Sequence, residues 1–161
     1  MARPDSHKDQ TGVLFVCLGN ICRSPLAEGI FIHLARQRGV LDQFTIDSCG
    51  TGGWHAGEPA DPRSIAVAAK HGIELPSRAR KFDPSSDIKA FDWLIPMDNQ
   101  NHRDLLEAGT PESKLKLMLD YHPSPPTREV PDPYYGGPNG FDKVYDMLTV
   151  SCDAMLESLT R

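Results

Sequence analysis

The chain has 161 residues, of which 39% are hydrophobic and 24% charged, and this is enough to bury a core in one domain. Its net charge of -5 argues against broad binding to nucleic acid or to an anionic membrane, because both need a surface dense in lysine and arginine. We therefore expect no nucleic-acid partner and no membrane partner, and any affinity for phosphate must be local.

The amino-terminal segment MARPDSHKDQTG is polar and lacks the apolar core of a signal peptide. We expect residues 1–12 to form a flexible leader and residues 13–161 to form the domain. No later segment is long and apolar enough to span a bilayer. The four cysteines lack the spacing of a disulfide framework or a zinc site, which predicts reduced thiols and no metal. We also expect no cofactor, a monomeric state and a cytoplasmic location.

The first half of the chain alternates between strand and helix patterns. Short runs of apolar, β-favouring residues are typical of strands, and the run is continuous where a strand is buried on both faces. A Ser-Pro or Asp-Pro pair is typical of the start of a helix, and a glycine of its end. In chain order these patterns predict a strand over residues 13–17, a helix over 24–39, a strand over 43–48, a glycine-rich loop over 49–57 and a helix over 61–72.

The second half continues the alternation and is interrupted by one long loop. Proline and glycine are frequent over residues 123–140, which forbids regular structure there. The remaining patterns predict a strand over residues 91–97, a helix capped by Asp98 that ends near Gly109, a fourth strand over 114–121 and a final amphipathic helix over 141–159. These elements predict a single-domain α/β fold with a central four-stranded parallel sheet and helices on both faces.

Cys17 ends the first predicted strand, which is where ligands bind in parallel sheets. The loop LGNIC, residues 18–22, then leads to the amino end of a helix, where free N–H groups attract anions. A thiol attacks well only as the thiolate, and a helix amino end together with a nearby arginine favours that form. The guanidinium of Arg23 offers a fork of donors that matches two phosphate oxygens.

These residues predict a phosphate-binding loop in which Cys17 attacks phosphorus and forms a phosphocysteine that water later hydrolyses. Within the loop, Gly19 is expected to supply a positive φ, and Asn20 tolerates the left-handed region. Ser24 can donate a hydrogen bond to the sulfur anion. Taken alone, the pair Cys17 and Arg23 has an equally good structural interpretation, in which the cysteine simply ends a core strand and the arginine is solvated at the start of a helix.

Asp132 stands between two prolines in EVPDPYYGG and is the candidate acid for the departing oxygen. Pro133 disfavours helical geometry at Asp132, and Tyr134 and Tyr135 offer aromatic walls that can shape an aryl pocket. An ordinary surface turn is the alternative interpretation of this stretch on its own.

The stretches VCLGNICRSP and DPYYGG together resemble the low-molecular-weight protein tyrosine phosphatases, and the resemblance extends from Gly12 to Leu159. DSCGTGGWHAGEPAD, KHGI, FDWLIPMD and NHRDL are also similar to stretches of that family. The resemblance implies hydrolysis of phosphotyrosine and other aryl phosphate monoesters, with inorganic phosphate as product and competitive ligand. It implies that Cys17 is the nucleophile, that Arg23 binds phosphate and stabilises the transition state, and that Asp132 is general acid and then base.

The resemblance also implies a supporting network around the loop. Asn20 would hold the loop through hydrogen bonds with Ser48 and His71, Ser24 would support the thiolate, and Asp98 would orient Arg23. The alternative interpretation of Asp98 is a helix cap. The alternative interpretation of His71 is a surface histidine at the end of a helix, where the helix dipole favours it.

Several aromatic and apolar side chains are implied to contact the substrate ring. They are Trp54, Tyr134 and Tyr135 at the rim and Leu18 and Ile21 in the loop. Similar bacterial enzymes that act on phosphoarginine carry threonine where this chain has Ile21, so the sequence favours phosphotyrosine.

Cys22 is implied to form a reversible disulfide with an oxidised Cys17, and a small core residue is the alternative interpretation. Cys152 lies on the buried stripe of the last helix and is expected to pack in the core. Cys49 has no assigned role, since many relatives carry alanine there.

Two other functions are less consistent with the sequence. Arsenate reductases share this fold and loop, but they need further cysteines, and no close cysteine pair stands in the middle of the chain. A non-enzymatic phosphate-binding module would be expected to lose Cys17 or Asp132, and both are present.

Overall fold

The structure is a computed structural model that describes residues 10–75, 77–135, 137 and 139–160. A parallel sheet forms its centre, with the strand order β2-β1-β3. The strands are β1 (Thr11–Cys17), β2 (Phe44–Gly50) and β3 (Trp93–Pro96). From β1 the chain passes to β2 on one side of it, and later crosses to β3 on the other side. The loops that follow β1 and β3 therefore lead away from each other. Such a point is where α/β sheets bind ligands.

Helices cover both faces of the sheet, as the sequence predicts. They are α1 (Arg23–Gln37), α2 (Pro62–Ala69), α3 (Pro84–Ala90), α4 (Asn99–Glu107) and α5 (Gly140–Leu159). Because side chains alternate along a strand, β1 directs Val13 and Phe15 into a core with α1, α2 and α5. Leu14 and Val16 point to the opposite core, which includes Leu105 of α4.

The predicted fourth strand over residues 114–121 is wrong, since the sheet has three strands in the described part of the chain. Leu115 forms one parallel bridge with Leu94, and the chain then turns into a short 3-10 helix, Met118–Tyr121. The turn brings the neighbouring side chains Met118 and Leu119 into the same core cluster. A strand would direct them to opposite faces, so packing against α5 decides this segment.

Smaller differences concern the amino terminus and one helix. Residues 1–9 of the predicted leader lie outside the described residues, and its last two residues already belong to β1. The helix α3 was not predicted, although Asp83 caps it by accepting a hydrogen bond from the Ser85 N–H. Within the described residues, no helix is both long enough and apolar enough to cross a membrane.

Leu148 lies on α5 and is fully buried in the larger core. We expect Leu148→Ala to lower the free energy of unfolding by about 2–5 kcal/mol, because it removes apolar contacts and leaves a cavity. Val150→Ala on the same helix is the control, since Val150 is 40% exposed and should cost only about 0.5 kcal/mol. Urea denaturation measures both, and equal losses would contradict this account of the core.

Candidate active site

The loop between β1 and α1 is held against the loop that follows β2. The carbonyl oxygens of Cys17 and Leu18 accept hydrogen bonds from the N–H groups of Thr51 and Gly52, each at 2.9 Å. Gly50 permits this approach, because a Cβ there would lie 2.7 Å from the Leu18 oxygen. The backbone of the phosphate-binding loop is therefore fixed from its first residue.

Asn20 adopts the left-handed conformation with φ 57°, which confirms the expectation for this position. The expectation of a positive φ at Gly19 is wrong. Gly19 instead gives room to a neighbour, since a Cβ on it would lie 3.1 Å from Cδ2 of His55. The left-handed turn of the loop thus lies at Asn20, and Gly19 leaves space for the imidazole ring of His55.

Cys17 lies at the bottom of a cavity of about 310 Å³ and is 2% exposed. Its Sγ atom lies 3.0 Å from Oγ of Ser24, in the first turn of α1. Ser24 accepts a 2.7 Å hydrogen bond from the amide nitrogen of Asn20, so its own proton can go to the sulfur or to the carbonyl oxygen of Cys49, which lies 3.4 Å away. The contact expected between Ser24 and the thiol is therefore present.

Arg23 is the first residue of α1, and its guanidinium is almost fully buried. Nη1 donates to Oδ2 of Asp98 at 2.7 Å and to the carbonyl oxygen of Val130 at 3.0 Å. The other carboxylate oxygen of Asp98 caps α4 by accepting from the Asn101 N–H at 2.8 Å. Asp98 therefore contacts Arg23 with one carboxylate oxygen and caps α4 with the other.

The electrostatics of Arg23 follow from these partners. Burial by itself would lower the pKa of the guanidinium, but negative charge at Cys17 and the hydrogen bond to Asp98 outweigh burial and raise the pKa above its usual value. The side chain is therefore a permanent cation beside the sulfur, which is what binding of an oxyanion needs.

Asp132 reaches the same cavity from the other end of the chain. Its Oδ1 accepts a 3.0 Å hydrogen bond from the Tyr134 N–H, and Oδ2 lies 3.9 Å from Nη2 of Arg23. Tyr134 is part of a short 3-10 helix, Pro133–Tyr135, that follows directly. The tertiary structure thus brings Cys17, Arg23 and Asp132 together.

The hydrogen-bond network that holds Asn20 contains Ser48, as expected, but it does not contain His71. The amide nitrogen of Asn20 donates to Oγ of Ser48 at 3.0 Å, and its oxygen accepts from the Arg80 N–H at 3.0 Å. His71 lies elsewhere, in an exposed turn after α2, where its ring stacks on Tyr145 at 4.0 Å. Arg80 therefore occupies the place in this network that the sequence analysis assigned to His71.

Glu28, a buried carboxylate on α1, also belongs to this network and was not predicted. Its two oxygens accept 2.6 Å hydrogen bonds from the hydroxyl groups of Ser48 and Ser77. Burial raises the pKa of Glu28, although both hydroxyl bonds oppose this effect. A polar residue on the buried face of α1 was the one signal that could have indicated it.

Exposed apolar side chains surround the mouth of the cavity. Trp54 is 71% exposed, Tyr134 43% and Leu18 41%, and Ile21 lines the wall below them. The side chain of Tyr135 lies outside the described residues. His55 also lines the cavity, and its Nδ1 atom lies 3.1 Å from Oε1 of Glu58.

The remaining cysteines are buried thiols in the described structure. Burial, helped by the negative charges of Asp61 and Cys17, raises the pKa of Cys22 to about 12. Burial also raises the pKa of Cys49 and of Cys152. The described residues contain no group of three or more His, Cys, Asp or Glu side chains that could hold a metal ion.

The fold and this cavity together define the class of cysteine-based phosphatases. Residues 12–161 match the family model described as low molecular weight phosphotyrosine protein phosphatase. The chain is 44% identical over 150 residues to the low molecular weight phosphotyrosine protein phosphatase of Schizosaccharomyces pombe, which covers 91% of this chain and 96% of that protein. The Homo sapiens protein of the same name is 38% identical, with coverage of 90% and 93%.

Solved structures agree with this result. A protein tyrosine phosphatase from Entamoeba histolytica superposes with a TM-score of 0.88 at 40% identity, covering 93% of this chain and 97% of that chain. YfkJ from Bacillus subtilis superposes with the same TM-score of 0.88 at 38% identity, covering 93% and 94%. This chain belongs to the low molecular weight phosphotyrosine protein phosphatase family and is a protein tyrosine phosphatase.

The thiol of Cys22 should be unreactive in the native protein. At pH 8 a pKa of about 12 leaves roughly one thiol in 10⁴ ionised. The variant Cys17→Ser removes the Cys17 contribution but keeps burial, the main cause of the raised pKa. We therefore expect slow modification by iodoacetamide in the native state, with a rate that rises about tenfold per pH unit. Denaturation should expose three thiols, since four cysteines less Cys17 leave three. Rapid labelling of Cys22 in native Cys17→Ser at pH 8, detected by mass spectrometry, would contradict this.

Proposed function

We propose that this phosphatase transfers the phosphoryl group of phosphotyrosine, or of another aryl phosphate, first to Cys17 and then to water. The observation that carries the proposal is the meeting of Cys17, Arg23 and Asp132 at one cavity of about 310 Å³. The three residues come from the end of β1, the start of α1 and a loop more than a hundred residues later. Each has the chemical type that its role requires.

In the first step, the phosphate enters the loop of residues 18–22 and meets the N–H groups at the amino end of α1 together with the guanidinium of Arg23. The sulfur of Cys17 attacks phosphorus opposite to the bridging oxygen. The P–S bond forms as the P–O bond breaks, and the carboxyl proton of Asp132 passes to the departing oxygen. The products of this step are a phenol and a phosphocysteine.

In the second step, the Asp132 carboxylate takes a proton from water, and the resulting oxygen attacks phosphorus. The P–S bond breaks, its electrons return to the sulfur, and inorganic phosphate leaves. Arg23 neutralises the equatorial oxygens in both steps, and Asp98 keeps the guanidinium aimed at them. The hydrogen bond from Ser24 lowers the energy of the sulfur anion as attacking and as leaving group.

The depth of the cavity favours an aryl substrate. Cys17 is 2% exposed, whereas Trp54 and Tyr134 stand at the rim, so a phosphate must be carried down on a long and flat group. A phenyl ring has that length and stacks on aromatic side chains. Phosphoserine is shorter and lacks a surface that would stack.

Two other reactions remain alternatives to be tested. A Drosophila arginine phosphatase has the same fold, with 30% identity and a TM-score of 0.85. In this chain Ile21 supports phosphotyrosine instead. Reduction of arsenate needs further resolving thiols to relay electrons, and the raised pKa values of the buried Cys49 and Cys152 argue against such a relay.

The proposal extends to several properties of the protein in solution. Inorganic phosphate should compete with substrate as the product of the second step. The reaction should need no metal or cofactor, because Arg23 and the loop supply the positive charge. Free thiols fit a reducing compartment, which supports a cytoplasmic location, and we propose that the protein is a monomer. We also propose that a peroxide-type oxidant converts Cys17 to a sulfenic acid, which the Cys22 thiol then attacks to form a reversible disulfide with release of water.

A panel of substrates tests the proposed function. We expect the highest kcat/KM on a phosphotyrosine peptide, with lower values on matched phosphoserine and phosphoarginine peptides and no thiol-dependent arsenate reduction. Inorganic phosphate should inhibit competitively, and Cys17→Ser should lose turnover completely. Retained turnover in that variant, or a preference for phosphoarginine, would contradict the proposal.

The role of Asp132 predicts a dependence on the leaving group. Asp132→Asn should lower kcat/KM on phosphotyrosine by about 10²-fold or more, since a general acid contributes roughly 10²–10⁴-fold. The loss on p-nitrophenyl phosphate should be smaller, because p-nitrophenolate leaves without a proton. The control is Asp153→Asn, an exposed aspartate of α5 that pairs with Arg38. Equal losses on the two substrates would remove Asp132 from the acid role.

A further inference from the structure

Arg63 lies on α2 and links two loops of the active site, although no step above uses it. Its guanidinium pairs with the carboxylate of Asp61 through two hydrogen bonds, from Nε at 3.0 Å and from Nη2 at 3.0 Å. Asp61 is buried and caps α2 by accepting from the Arg63 N–H. The hydrogen bonds to Arg63 also lower the pKa of this carboxyl, so the pair is ionised. The arginine side chain is therefore fixed in orientation, although half of it is exposed.

The start of α2 is itself joined to the phosphate-binding loop. The N–H of Asp61 donates to the carbonyl oxygen of Ile21 at 2.8 Å, and the hydroxyl of Ser64 donates to the carbonyl oxygen of Cys22 at 3.3 Å. These two contacts involve the last residues of the loop before Arg23. The first turn of α2 thus has a defined position relative to Cys17 and Arg23.

The same guanidinium contacts the segment that carries the general acid. Its carbon Cζ lies 5.1 Å from the centre of the Tyr134 ring and 4.7 Å from that of Phe141, at the start of α5. Nη1 also lies 3.5 Å from the Tyr134 carbonyl oxygen. Tyr134 in turn holds Asp132, because its N–H donates to Oδ1 of that carboxylate. A single residue, Tyr134, therefore stands between Arg63 and the acid.

The acid loop, residues 130–135, consequently has an anchor at each end. At its beginning, Val130 donates its N–H to the Met97 oxygen at 2.9 Å and accepts from Arg23 at 3.0 Å. At its end, Tyr134 lies against Arg63. Asp132 sits between the two anchors and is one third exposed, so neighbouring packing alone does not fix it.

We propose that Arg63 is a positioning residue for the general acid: it couples the acid loop, through Tyr134, to the part of α2 that contacts the phosphate-binding loop. The inference rests on the function proposed above for Asp132. A fork of donors and a flat cationic face are both needed, one for Asp61 and the other for Tyr134. Lysine offers neither, which makes arginine the specific requirement at this position.

The experiment measures kcat/KM for Arg63→Ala and Arg63→Lys on a phosphotyrosine peptide and on p-nitrophenyl phosphate. We expect the alanine variant to lose about tenfold on phosphotyrosine, a part of the roughly 10²–10⁴-fold contribution of a general acid, and less than about twofold on p-nitrophenyl phosphate. The lysine variant should show the same selectivity with a similar loss, because lysine supplies neither of the two contacts. It also serves as the test variant if the alanine protein does not fold, which thermal unfolding establishes.

Two comparisons separate this role from a general effect on structure. Arg38→Ala is the matched control, because Arg38 also pairs with carboxylates, Asp153 and Glu157, but on a surface away from the cavity. It should leave both substrates unaffected. In an Asp132→Asn background, Arg63→Ala should cause no further selective loss, since the acid it positions is absent.

The possible results are distinguishable. Equal losses on both substrates, no loss, or a further selective loss in the Asp132→Asn background would overturn the role of Arg63 while leaving that of Asp132 intact. If Asp132→Asn alone shows no dependence on the leaving group, the proposed acid fails, and the inference about Arg63 fails with it.

Discussion

The left-handed backbone of Asn20 is the constraint on which the active site depends. With φ 57°, the chain turns within residues 18–22 from the end of β1 to the start of α1. The side chain is held by Ser24, by Ser48 and by the N–H of Arg80. Because Ser24 also bonds Cys17, the same interaction that shapes the loop sets the surroundings of the sulfur. Any residue that resists this conformation would displace the Cys17 sulfur and the first turn of α1 together.

Arg23 has a comparable effect on the distant parts of the cavity. A buried charge is costly unless it is paired and hydrogen-bonded. The guanidinium finds its partners in Asp98, 75 residues away, and in the carbonyl oxygen of Val130, 107 residues away. Satisfying this one cation thus draws the end of β3 and the acid loop towards the start of α1. On the opposite side, Arg63 connects the acid loop to α2, so both anchors of that loop are arginines.

The elements with a strong local sequence pattern were predicted correctly. Where the local pattern is weak, tertiary packing decided the secondary structure. The continuous apolar run of β1 and the long amphipathic face of α5 leave few alternatives, and the Asp-Pro pair at Asp61 begins α2 as expected. Residues 114–121 are apolar enough for a strand, but their second half turns into a 3-10 helix that packs on α5 and places Met118 and Leu119 in the main core. The short helix α3 has a mostly polar sequence, and its Asp-Pro start was its main indication.

By itself, the sequence determined the chemistry of the loop. Cys17, Asn20, Arg23 and Ser24 lie within eight consecutive residues, and a strand, a tight turn and a helix amino end place them by local geometry alone. Only the tertiary structure decided which distant groups complete the site. Arg80 bonds Asn20 where His71 was expected, Ser77 and Ser48 share the carboxylate of Glu28, and Arg63 lies against Tyr134. These partners are far apart in the chain, so their contacts follow from the way the helices pack on the sheet, which no local pattern encodes.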